Sequence, residues 1–207
     1  MHRPADPAAP AGQTSRSRRQ IYILIGAFFA PLALAFILYY GLDVRPHGST
    51  NKGDLIHPPV TLPEVELPAM ADQKLAADAL RGKWSMVYIG DGACDDRCRQ
   101  ALTLMRQTRL ALGDDLPRVQ RVFLVSANCC DRPYLEAEQS GLLLGRIDNP
   151  EGQTLLQTFP DAARAPGLGR IYLVDPLGNL MMKYEPDAPQ KGLLEDLKKL
   201  LKLSHIG

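Results

Sequence analysis

The chain is most informative in what it lacks. Cysteine is scarce: only Cys94, Cys98, Cys129 and Cys130 occur in 207 residues. That is too few for a disulfide-built scaffold, so the four read as a site or a local staple. Excess charge is lacking too, with a formal net charge of +1. The densest basic cluster is Arg16, Arg18 and Arg19, which abuts an apolar run and forms no basic face, so no nucleic-acid partner is expected. No histidine stands between His57 and His205. His47 and His57 precede the compact part of the chain and His205 ends it, so all three read as solvent-facing. Phosphate loop, zinc-binding H-E-x-x-H and nucleophile elbow are all missing, as is any internal repeat.

What is present begins with the apolar run. Residues 21–42 read IYILIGAFFAPLALAFILYYGL without a charge, a length that gives a helix of roughly 33 Å, enough to cross a bilayer core. Tyr22, Tyr39 and Tyr40 sit near its ends, where aromatic belts lie. Pro31 is tolerated better in a spanning helix than in a soluble one. A cleaved signal peptide would have a shorter apolar core and small residues at its cleavage site, which Tyr39-Tyr40-Gly41-Leu42-Asp43 does not offer. A buried core helix would show a polar face. We therefore expect one transmembrane anchor. Arginine upstream places the N-terminus in the cytoplasm and the rest beyond the membrane, for a bacterium an inner-membrane protein with a periplasmic domain, where disulfides persist.

The remainder divides by composition. Residues 1–20, rich in Ala, Pro, Ser and Arg, read as a disordered cytoplasmic tail. Residues 43–68, with Pro46, Pro58, Pro59, Pro63 and Pro68, read as an extended tether. Residues 69–207 form the globular domain. Within it, residues 83–90 have the β-branched and aromatic content of a buried strand. A helix is expected over Asp95–Gly113, with Ala101, Leu104, Met105, Thr108 and Leu112 on one face. A second strand follows at Val119–Ala127, then helical stretches near residues 133–139 and 152–159. Arg170–Asp175 and Leu180–Glu185 flank a turn at Pro176-Leu177-Gly178-Asn179. Leu193, Leu194, Leu197, Leu200 and Leu201 give the last helix an apolar stripe. This βαβ unit followed by ββα predicts an α/β, thioredoxin-like fold behind one N-terminal transmembrane helix.

Cys94-Asp95-Asp96-Arg97-Cys98 falls where the first strand meets the first helix, at the carboxyl end of a strand where α/β sheets present their chemistry. The helix dipole favours thiolate there. Arg97 and Arg99 reinforce it and Asp95 and Asp96 oppose it, so the sign of the net effect stays open. Two nearby thiolates suit a reversible disulfide or a soft metal such as Cu(I), and a structural disulfide is the alternative.

With this motif, the Gly82-Lys83-Trp84 opening, Ile171-Tyr172-Leu173-Val174-Asp175-Pro176-Leu177-Gly178 and the closing helix, residues 82–201 resemble the Sco family of copper-handling proteins that help assemble cytochrome oxidase. The resemblance implies Cys94 and Cys98 as redox and Cu(I)-binding residues and the copper subunit of a cytochrome oxidase as partner. Two departures mark the chain as divergent. The family's third ligand, a histidine about five residues before the late-strand tyrosine, falls on Gly167 here. Its aspartate after the second strand is replaced by Ser126-Ala127-Asn128-Cys129-Cys130. Other readings are a general periplasmic thiol–disulfide oxidoreductase and a scaffold that has lost its metal.

Cys129 and Cys130 are not explained by the resemblance. They are either small core residues or partners of the first pair. A right-handed crossover makes the first two strands parallel, so the loop from Asn128 should open beside the Cys94 loop. At least one of its cysteines is then expected within a side-chain length of Cys94 and Cys98, as resolving thiol or additional Cu(I) ligand. Cys94, nearer the loop, is expected to be the more exposed of the first pair.

Overall fold

A computed structural model describes residues 14–37, 51–70, 73–204 and 206. The chain divides into two units, Met1–Gly48 and Ser49–Gly207. In the first, helix α1 runs Thr14–Phe36 with Pro31 inside it. Its Arg18–Phe36 stretch is long and apolar enough to cross a membrane, and Ile21, Tyr22, Leu24 and Phe28 all point outward, as a lipid-facing surface requires. Thr14–Gln20, read from sequence as unstructured tail, are the opening turns of this helix. The end of the expected span, residues 38–42, lies outside the described residues, as do residues 1–13 and 43–50.

The second unit is built on one six-stranded sheet. Its strands are β1 (Asp54–Thr61), β4 (Trp84–Gly90), β5 (Val119–Val125), β6 (Leu142–Arg146), β7 (Ile171–Val174) and β8 (Asn179–Tyr184), and a small hairpin pairs β2 (Leu67–Pro68) with β3 (Lys74–Leu75). The sheet order is β1-β8-β7-β4-β5-β6. β4, β5 and β6 run parallel, while β7 opposes β4, β8 opposes β7 and β1 opposes β8. Central β4 is buried along its whole length, which explains its largely apolar sequence, Ser85 apart. Alternate residues serve two cores. Trp84, Met86 and Tyr88 face helices α2 (Asp96–Leu110), α3 (Arg132–Glu138) and α6 (Gln190–Leu203), while Val87 and Ile89 face α4 (Pro150–Leu156) and the chain leading into β4.

The segment read as a tether is partly a strand: Asp54–Thr61 pairs with β8 in register Asp54↔Lys183 and Thr61↔Asn179, the ladder being interrupted between Leu55 and Val60. Pro58 and Pro59 fall in that interruption. A sheet edge tolerates them because one side of the strand needs no N–H donors. The entry to β1 is held by α6: the buried Asp196 carboxylate accepts from Lys52 N–H at 2.8 Å, Gly53 N–H at 2.9 Å and Tyr184 O–H at 3.1 Å. Burial, then the Asp196 charge, pushes the Tyr184 phenol far up, so it stays a donor.

Two helices set the site. Helix α2 buries Cys98, Ala101, Leu102, Met105 and Thr108, one face at helical spacing. Leu104, expected in that stripe, is only partly buried, and Leu102 takes its place. Helix α6 lays Leu193, Leu197 and Leu201 on the same core.

Candidate functional site

β4 ends at Gly90, and the loop that follows turns into α2 at Asp95. The Asp95 carboxylate caps the helix, accepting from Cys98 N–H at 2.9 Å, one of the donors the first turn would otherwise leave unmet. Cys94 stands just before the cap in the left-handed region, φ 47°. That conformation costs an L-residue about 1–2 kcal/mol. It is held from both sides, Cys94 N–H donating to Asp91 O at 3.1 Å and Arg99 Nε–H donating to Cys94 O at 3.1 Å. Cys94 and Cys98 are joined by a disulfide with Cα atoms 5.0 Å apart. Cys94 is 1% exposed and Cys98 2%, so the expectation that Cys94 is the more open of the two fails. The bond packs against the α2 core, among the cluster that includes Tyr88, Phe123 and Tyr134.

A shallow cleft opens over the pair, bounded by Tyr88, Asp91, Arg97, Asn128, Pro166, Gly167 and Gly169. Burial, and secondarily the Asp95 charge, pushes the Tyr88 phenol up to about 12, so Tyr88 presents a protonated hydroxyl at neutral pH. Gly167, where the resemblance calls for histidine, lies on the cleft wall in helix α5 (Ala165–Leu168), and its carbonyl accepts a long hydrogen bond from Arg97 at 3.4 Å. A Cβ placed on Gly167 would meet nothing within 4 Å, so a side chain can start there without a clash at its first atom. Among the described residues no group of three or more His, Cys, Asp or Glu is placed to hold a metal ion.

The neighbouring loop is where the parallel strands put it. Ser126 N–H donates to Gly90 O at 2.9 Å, Gly92 N–H to Ala127 O at 2.8 Å, and Asp131 N–H to Gly92 O at 2.8 Å. Asn128 Nδ2 donates to Asp91 Oδ2 at 2.7 Å. The Arg99 guanidinium spans both loops, reaching Cys94 O and, at 2.8 Å, Asp131 Oδ2, while lying 4.8 Å over the Tyr134 ring. Cys129 and Cys130 are disulfide-bonded to each other, and no free thiol remains. Cys129 is exposed and Cys130 half-buried, so Cys129 is no core filler, and Cys130 packs against the cluster that holds Cys94 and Cys98. Asp131, Tyr134 and Tyr88 were not singled out from sequence. Asp131 was discoverable: it precedes Arg132-Pro133 and caps α3 by accepting from Tyr134 N–H, a recognisable helix start.

Comparison with known proteins adds the following. No curated protein matches in sequence. Among solved structures, copper-bound ScoI from Bradyrhizobium japonicum superposes with a TM-score of 0.52 at 19% identity, covering 68% of this chain and 98% of that one. Yeast Sco1 gives 0.57 at 19%, covering 72% and 98%. The thioredoxin domain of a thiol-disulfide oxidoreductase from Bacteroides vulgatus gives 0.50 at 17%, covering 68% and 94%. These likenesses show that the domain has the thioredoxin-like fold found in Sco proteins. A family model matches residues 84–204, from the first residue of β4 to just past α6. On that match the chain belongs to the family of transmembrane-like, thioredoxin-like C-terminal domains.

Proposed function

We propose that this chain is a membrane-anchored thiol–disulfide exchange protein of Sco-like fold, acting through Cys94 and Cys98 on an exported client. One observation carries the reading: the two cysteines are bonded across the first turn of α2, beneath a cleft at the carboxyl end of the central strand. In the working step a dithiol at Cys94 and Cys98 reduces a client disulfide. One thiolate attacks it to form a mixed disulfide, the second resolves that bond, the Cys94–Cys98 bond closes, and two electrons and two protons pass to the client. The Sco likeness suggests the client, the copper-subunit cysteines of a respiratory cytochrome oxidase. It also suggests a cargo: two thiolates without imidazole suit Cu(I) and not Cu(II). The apolar α1 and the upstream arginines support an anchor in the bacterial inner membrane with the domain in the periplasm.

Mass-tagging of free thiols, after poising the full-length protein in thiol buffers, tests the reading. It should show a two-electron transition that Cys98→Ala abolishes. A pair that stays oxidised in strong reductant would leave only a structural disulfide. Topology is tested by a reporter fused after Gly207: activity confined to the cytoplasm would refute export.

A further inference from the structure

The Cys129–Cys130 pair has no role in that exchange, yet the fold fastens it to the working pair. Five hydrogen bonds and the Arg99 bridge tie residues 126–131 to residues 90–94. The approach is close enough to demand glycine: a Cβ on Gly92 would fall 2.7 Å from Cys129 Cα and 2.7 Å from Asn128 O. Access to the two pairs is opposite. The inner sulfurs belong to residues 1% and 2% exposed, whereas Cys129 is exposed and Cys130 reaches from the surface to the cluster containing the inner pair. Disulfide exchange needs an attacking thiolate to reach a sulfur, and the exposed Cys129 offers one to a protein donor more readily than the inner pair at the base of its cleft does.

We propose that Cys129 and Cys130 form a second redox pair, relaying electrons from a protein dithiol to the buried Cys94–Cys98 disulfide. The inference rests on the reading that Cys94 and Cys98 are the working pair. The donor's thiolate attacks the Cys129–Cys130 bond, and its second thiol resolves the mixed disulfide, leaving the donor oxidised and Cys129 and Cys130 as thiols. One of these, as thiolate, attacks the Cys94–Cys98 bond. Its neighbour then displaces the inner sulfur, and the Cys129–Cys130 bond re-forms. Two electrons and two protons have moved from donor to Cys94 and Cys98, and the relay pair returns to its starting state. Of the two, Cys130 is half-buried and packs against the cluster that includes Cys94 and Cys98, so the inward attack falls to it.

The experiment uses the oxidised full-length protein in detergent, with reduced thioredoxin as probe donor and dithiothreitol as small-molecule control. The appearance of Cys94 and Cys98 thiols is followed by acid quench and mass tagging. With thioredoxin, Cys129→Ser/Cys130→Ser should slow reduction of the inner pair by roughly tenfold or more, the advantage expected when attack becomes intramolecular. With dithiothreitol the difference should be smaller. Cys129→Ser alone should accumulate a cross-linked species joining Cys130 to Cys94 or Cys98, identifiable by peptide mass. Should the double serine variant fail to fold, Cys129→Ala/Cys130→Ala and the cross-link in the single variant decide the matter. Equal rates with thioredoxin and no cross-link overturn the relay and leave the working pair intact. An inner pair that neither donor reduces in the unaltered protein overturns both readings.

Discussion

If Cys94–Cys98 is a working bond, opening it must leave the domain folded, and the structure sets how much stability is at stake. The bond closes a sequence separation of four, for which the chain-entropy relation gives about 2 kcal/mol of stabilisation at 25 °C. Against this stands Cys94 at φ 47°, a conformation worth about 1–2 kcal/mol of backbone strain that a freed residue can relax. The net cost of reduction is therefore about 0–1 kcal/mol. For a domain of about 150–250 residues, each kcal/mol moves Tm by about 2–4 °C, so reduction should lower Tm by at most about 4 °C. The assay is thermal unfolding of the Cys129→Ser/Cys130→Ser protein, oxidised and fully reduced, followed by near-ultraviolet circular dichroism. Loss of the folded signal on reduction, or a fall beyond about 15 °C, would show a structural staple and refute the reasoning.

Further outcomes follow from named positions. Gly167→His adds a side chain where a Cβ meets nothing within 4 Å; it should keep the fold and confer Cu(II) binding that the unaltered protein lacks, read by titrating each with Cu(II), and tight Cu(II) binding by the unaltered protein would mean that a ligand has been missed. Leu102→Ala removes a fully buried side chain between α2 and the sheet and should cost about 2–5 kcal/mol in urea unfolding; a loss below about 1 kcal/mol would mean that the site collapses onto the gap. Arg170 donates to Glu185 at 2.8 Å and to Asp161 at 2.8 Å, and these hydrogen bonds hold both carboxyls below their ordinary range. Carboxyls held low stabilise the fold above their ordinary values, and that contribution fades as pH falls through the lowered ones. Arg170→Met should thus be less stable at pH 7 and lose stability less steeply below about pH 4.5; parallel urea midpoints across pH 3–7 would contradict this.

The elements legible in sequence were those whose signal is local. β4 and β5 announced themselves by short runs rich in β-branched and aromatic residues, α6 by its leucine stripe, and the Cys94 loop by its position between strand and helix. The neighbourhood of the Asn128 loop was legible as well, because parallel pairing of two strands obliges their carboxyl ends to share an edge. What stayed hidden depends on distant partners. Asp54–Thr61 carries two prolines and reads as a tether until β8, more than a hundred residues later, supplies its ladder. Asp196 is one acid on an amphipathic helix until Lys52, Gly53 and Tyr184 converge on it. Leu142–Arg146 is a short run ending in Gly-Arg, too brief to separate from a loop. Burial of Cys94 was misjudged because proximity to a loop says nothing about how the following helix leans over it.

The proline-broken edge bears on how the domain can meet an extended peptide. Many proteins capture an extended peptide by letting it join their sheet as one more strand, which needs an outer strand with a free row of backbone donors and acceptors. Here one outer strand, β1, carries Pro58 and Pro59, which have no N–H to offer, and its register breaks between Leu55 and Val60. The opposite outer strand, β6, is only five residues long. Neither border makes a good template for a visiting backbone, so self-stacking into fibres is discouraged by the same features. For the client proposed above, that leaves side chains and turns around the cleft as the footing, which suits brief encounters over strand-for-strand capture.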